Sequence, residues 1–106
     1  MPFDCLPNTD QDIERLKAVD DLKLARALIE KKQRWIRGAL HSEPTFFRPY
    51  DKYCAVGALS AVKANCLAVR TLRQIIKDFT SIESFNDHSS HKVVLRAFDQ
   101  AILQLT

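Results

Sequence analysis

Apolar residues recur at helical spacing along most of this chain, and nowhere is there a convincing period-two alternation of strand formers. The stretch "DQDIERLKAV" predicts a short helix that Asn8 or Thr9 would cap. From Asp20 to about Arg37, the spacing of Leu22, Ala25, Leu28, Ile29 and Ile36 predicts a second helix, with Gly38 or His41 as its stop. Lys31, Lys32 and Arg34 fall near its end, where the helix dipole favours cations. "HSEPTFFRPYDKY" interrupts the pattern. Pro44 and Pro49 disfavour helix at the residues before them, so 41–49 is predicted to be a loop that Phe46 and Phe47 pin to the core.

Small and apolar residues resume helical periodicity from about Tyr50 to Lys63, and "KAN" then reads as a helix end. "CLAVRTLRQIIKDF" opens the next helix, with Ala68, Leu72, Ile75, Ile76 and Phe79 on one face and Arg70, Arg73 and Lys77 on a solvent-facing stripe. After "TSIESFND", Ser89 or Ser90 can cap a last helix carrying Val94, Leu95, Phe98, Ala101, Ile102 and Leu105. The predicted fold is all-α, a compact bundle of four to five helices. Residues 1–106 read as one helical domain, with 1–9 irregular.

Composition supports that picture. The chain has 106 residues, and with only two glycines and four prolines, helix breakers are scarce. No run approaches the ~18 apolar residues that span a bilayer, and "MPFDCLPNTDQD" lacks the basic start and apolar stretch of a signal peptide. A cytoplasmic protein with no membrane partner is therefore expected. Cys5, Cys54 and Cys66 are odd in number and widely spaced, which favours reduced thiols over a disulfide framework.

Charge is segregated along the chain. From Met1 to Glu30 four basic residues face seven acidic ones; from Lys31 to Lys77 ten face two; from Asp78 to Thr106 two face four. The basic middle, with Lys31, Lys32, Arg34, Arg37, Arg70, Arg73 and Lys77, could form one cationic face for an anionic partner, or be covered by the acidic ends.

Two stretches carry the candidate chemistry. In "YCAVGAL", Cys54, Gly57, Ala58 and Ala61 make a stripe of little bulk, on which another helix could pack directly with Cys54 buried. Cys54 also falls in the first turn of its predicted helix, where free N–H groups and the dipole would favour a thiolate. A nucleophile needs a base and an orienting group. His88 or His91, with Asp87 or Asn86, could supply them from "SFNDHSSH". The alternative is a folded turn and helix cap, with Asp87 accepting free N–H groups at the start of the Cys54 helix. Trp35 reads as core packing or as a stacking platform between Arg34 and Arg37. His88 and His91 lack further ligands at metal spacing, and there is no phosphate loop or dinucleotide fingerprint, so no metal or cofactor is expected.

Trp35, "YCAVGAL" and "SFNDHSSHKVVLRAFDQAI" together resemble a family of small bacterial and phage-borne proteins of unknown function, with the pattern W…C-x-x-G-A-L…(W/F)-N-D…V-L…A. The resemblance runs from Leu22 to Leu103 and is most specific at Cys54, Gly57, Ala58, Leu59, Asn86 and Asp87. The chain departs at Phe85, where tryptophan is usual, and at Ile36, where cysteine often follows the tryptophan. The resemblance implies a helical fold, no established activity, and proximity of the two stretches.

The functional expectation is a small non-enzymatic binding or regulatory protein whose partner is another protein; a phage or mobile-element anti-defence inhibitor fits by family analogy. A cysteine-dependent hydrolase or transferase using Cys54 with His91 or His88, and a nucleic-acid binder using the basic middle, are the alternatives.

Overall fold

The computed structural model describes residues 11–106; the expected irregular segment 1–9 and the Asn8 or Thr9 cap lie outside them. Five helices form the body: α1 (Gln11–Ile29), α2 (Ala55–Ala61), α3 (Cys66–Ile75), α4 (Ile82–Asp87) and α5 (His91–Leu105). The all-α bundle is as expected.

The central helix is α1, which packs against α2, α3 and α5. Its buried residues Ala18, Leu22, Ala25 and Ile29 fall three or four apart, so a single stripe faces the core. The two helices expected over this region are one, because no glycine or proline separates Ile13 from Ile29. It also ends earlier than expected. A 3-10 turn follows at Lys32–Arg34, and Trp35 has extended backbone. Among the last carbonyls of α1, which have no partner within the helix, that of Ile29 accepts from His91 Nε2 at 2.6 Å, so a residue of α5 caps α1.

The predicted loop 41–49 is partly a hairpin. Strands β1 (His41–Ser42) and β2 (Lys52–Tyr53) pair antiparallel, His41 opposite Tyr53 and Ser42 opposite Lys52. Strands of two residues cannot display a period-two pattern, so neither was legible in advance. Phe46 and Phe47 do not pin this segment to the core. Each is 93% exposed. Thr45 and Arg48 exchange backbone hydrogen bonds at 2.8 and 3.1 Å and close a tight turn with the two rings at its tip.

The second predicted helix boundary also shifts. α2 begins at Ala55, not near Tyr50, and Cys54 is its N-cap, with Sγ accepting from Gly57 N at 3.3 Å. Its end is a left-handed turn. Lys63 has φ 54°, and the amides of Lys63 and Ala64 bond back to Ser60 and Leu59. Asn65 then caps α3 through Ala68 N at 2.9 Å. The same residue donates to the Glu14 carbonyl, and its own amide bonds to the buried carboxylate of Asp21, so α1 holds the α2–α3 joint. Ser81 caps α4 and Ser90, of the two expected serines, caps α5. Cys54 is a free thiol, as expected.

The small-residue stripe of α2 is used differently than expected. Cys54, Gly57 and Ala58 are buried, while Ala61 is exposed. The group lying against Gly57 is the backbone carbonyl of Leu40, which also accepts from Cys54 N at 3.2 Å. A Cβ on Gly57 would stand 1.8 Å from that oxygen and 2.7 Å from its carbon. Backbone, unlike a flexible side-chain end, has little room to yield. Gly57→Ala is therefore expected to destabilise the fold by about 1–3 kcal/mol in chemical denaturation, although alanine is the better helix former. A midpoint equal to or above that of the parent would disprove the close approach.

Candidate functional site

The two stretches singled out by sequence do meet, and Asn86 joins them. It lies in the last turn of α4, fully buried at 0% exposure. Its Oδ1 accepts from the Trp35 indole Nε1 at 2.6 Å and from Ala55 N, at the start of α2, at 3.0 Å. Its Nδ2 donates to the Ile36 carbonyl at 3.0 Å and to Asp87 Oδ1 at 3.2 Å. A primary amide offers two donors and two acceptor sites, so this one is fully paired.

Asp87, the next residue, makes a different attachment. Its Oδ1 accepts from Gly38 N at 2.9 Å. The expectation that Asp87 would reach the Cys54 helix is thus corrected: Asn86 makes that contact, and Asp87 holds the segment after Trp35. The Asn86–Asp87 "turn" is itself helical, the end of α4. The Gly38 amide holds the Asp87 carboxyl below the usual carboxylate range, and Asn86 and the nearby charges of His88 and Arg37 act in the same direction. Trp35 packs against the His91 ring at 5.4 Å, with the Arg37 guanidinium 5.0 Å from its own ring. Arg37 also donates to the Ser89 carbonyl. Trp35 is therefore a core residue with one polar handle, not an open stacking platform.

The catalytic candidates are placed as follows. Cys54 is buried, and burial pushes its thiol pKa up; the negative charges of Asp87 and Glu83 push the same way, against the N–H groups of Gly57 and Val56. His91 Nε2 is bonded to the Ile29 carbonyl, and exposed His88 bonds the Ser84 carbonyl through Nδ1 at 2.8 Å. No hydrogen bond joins Cys54 to either histidine. A cleft of about 220 Å³, lined by Phe79, Phe85, Val93 and other apolar residues together with Asp78, Arg96 and Gln100, includes none of Cys54, His88, His91 or Asp87. Among the described residues no cluster of three or more His, Cys, Asp or Glu could hold a metal ion.

The basic residues Lys31, Lys32, Arg34, Arg37, Arg70, Arg73 and Lys77 are all exposed, but they do not gather as one group. Arg70 lies beside Asp12, Glu14 and Arg15 at the start of α1. Lys31, Lys32 and Arg34 follow its end, some 14 residues further along than Arg15, or about 20 Å at the rise of an α-helix.

A family model matches residues 14–104, which include Trp35, Gly38, Cys54, Gly57, Asn86 and Asp87. The chain belongs to this family of unknown function, DUF6197. No curated protein and no solved structure matches the chain. The residues that carried the sequence resemblance are, within this family member, the parts of a structural clamp. Sequence reasoning missed Asp21 and Asn65 as a second tie; only the position of Asn65 ahead of "CLAV" carried a signal, that of a helix cap.

Two outcomes test the clamp. Asn86→Ala leaves the Trp35 indole N–H, the Ala55 amide and the Ile36 carbonyl without their partner inside the protein, at a cost of about 1–3 kcal/mol for each unsatisfied group. Loss of cooperative folding or a large fall in melting temperature is expected; a change too small to detect would refute the clamp. For Asp87, a folded pKa below the unfolded value means that its contribution is present above the unfolded pKa and is lost as pH falls through the folded one. Asp87→Asn should accordingly lose less melting temperature than the parent between neutral and acid pH. Parallel losses in the two proteins would rule that linkage out.

Proposed function

We propose that the chain is a small non-enzymatic binding protein that works by docking, through the tip of its β-hairpin, onto another cellular component. The supporting observation is the pair Phe46–Phe47. Both rings are 93% exposed, stand edge to face at 5.2 Å and make no contact with the core cluster. The turn beneath them is held firmly. Arg48 bonds the Tyr50 carbonyl, Ser42 Oγ and the Glu43 carbonyl, in addition to its backbone pairing with Thr45. Large aromatic groups displayed on a preorganised turn lose little entropy on binding, which suits a recognition element.

The reactive residues point in the same direction. Cys54, Asp87, His88 and His91 are engaged by backbone groups, which weighs against the cysteine-dependent hydrolase or transferase reading. The separation of Arg70 from Lys31, Lys32 and Arg34 along α1 weighs against a continuous nucleic-acid face. The narrower idea of an anti-defence inhibitor has no supporting observation among the described residues and is not carried forward.

Photo-crosslinking in the native host tests the docking reading. A benzophenone amino acid at position 46 should give a discrete adduct that the same group at exposed Lys63 does not. Equal, diffuse labelling at the two positions would defeat it.

A further inference from the structure

We infer that the hairpin tip is a peripheral anchor for an anionic lipid bilayer, with Phe46 and Phe47 entering the interfacial region and nearby cations meeting the headgroups. This rests on the docking reading and names the surface involved. It also departs from the sequence-based expectation of no membrane partner. That expectation came from the lack of a spanning segment, and among the described residues no helix is long and apolar enough to cross a membrane; an interfacial anchor needs none.

Size is the first argument. A pair of phenylalanine side chains offers roughly 300–400 Å² of contact area, against about 800 Å² per partner in a standard protein interface. The two rings stand clear of the protein, and their area is small for a protein partner. A bilayer asks for no matching pocket. The second argument is desolvation. Across residues 44–49, Pro44 and Pro49 have no N–H, and the amides of Thr45 and Arg48 are bonded within the turn. Of the backbone N–H groups there, just those of Phe46 and Phe47 would have to give up water or find a headgroup oxygen, while the unpaired carbonyls stay at the hydrated interface.

Charge is the third argument and selects the lipid. Residues 31–52 hold six basic residues against Glu43 and Asp51. Arg34 and Arg48 lie on the Tyr50 ring at the base of the tip, 5.3 and 5.6 Å from its centroid. The hydrogen bonds of Arg48 go to uncharged oxygens, so its charge is not neutralised there. Lys31, Lys32, Arg34 and Lys52 form no ion pair among the described residues. Hydrophobic insertion and attraction to an anionic surface are the two signals that together hold a peripheral protein on a membrane.

Sedimentation with vesicles of phosphatidylcholine, with and without phosphatidylserine, tests the inference on the full chain. The parent should bind the phosphatidylserine vesicles and leave pure phosphatidylcholine largely unbound. Phe46→Ser/Phe47→Ser should weaken binding about tenfold or more, and so should added salt. Both rings are exposed, so this double variant should keep the parental melting curve, and that measurement controls for misfolding. Arg34→Gln/Lys52→Gln should reduce binding with the aromatic tip intact. Absence of binding to either vesicle, equal binding to both, or binding indifferent to the serine pair would each overturn the lipid assignment. A discrete protein adduct from position 46 alongside failed vesicle binding would leave the docking reading standing and remove only the lipid; equal labelling at positions 46 and 63 together with failed vesicle binding would remove both.

Discussion

A buried side-chain amide is tolerated only when each of its hydrogen-bonding groups finds a partner, and that requirement at Asn86 fixes the arrangement of three distant parts of the chain. Its partners Trp35, Ile36 and Ala55 lie 51, 50 and 31 residues away in sequence. If any one of these segments moved by more than a fraction of an ångström, a donor or acceptor in the interior would be left unpaired. α4 therefore does more than connect α3 to α5. It delivers an amide to the point where the segment after α1 passes the start of α2.

The other close contacts follow from that placement. With Ile36 held by Asn86 and bonded to the Tyr53 carbonyl at 3.0 Å, and Gly38 held by Asp87, the chain leads to Leu40, whose carbonyl lies against Gly57 and accepts from Cys54. Cys54 serves as a weak cap, its sulfur accepting from Gly57 N. The same environment that suits it as a cap raises the cost of its thiolate. A helix start that looks chemically promising on the page is, in three dimensions, closed by protein.

How much of this was legible depended on the kind of signal. The helices around Leu22, Leu72 and Phe98 were legible because burial repeats every three or four residues, and Gly57 announced a close approach because it is a glycine within a helix. The capping of Ile29 by His91 was not, since it depends on where α5 starts relative to α1 in space. Asn86 and Asp87 were both recognised as important, but the contact with the Cys54 helix expected of Asp87 is made by Asn86: a shift of one residue on a helix turns a side chain by about 100°, and the pattern did not say which of the two faced inward. Phe46 and Phe47 were misread for the opposite reason. Hydropathy places phenylalanine in the core by default, and only the Thr45–Arg48 pairing reveals that this turn points its aromatic rings outward.

The hairpin also divides the chain into complementary pieces. α1 and Trp35 lie before its tip, and α2 to α5 lie after it, yet the tip itself contributes nothing to the core. Across this divide run the packing of α1 on α2, α3 and α5, the Trp35–Asn86 bond, the Asp21–Asn65 bond and the Arg26–Asp99 ion pair at 2.6 Å. A peptide bond cut between Phe46 and Phe47 would sever the covalent chain at a place where little structure depends on it, and the two fragments would retain every surface needed to recognise each other. The ends at Thr45 and Arg48 are already side by side. The same point is thus suited to accept an inserted domain, or to serve as the junction of a split protein that regains its fold when the halves meet.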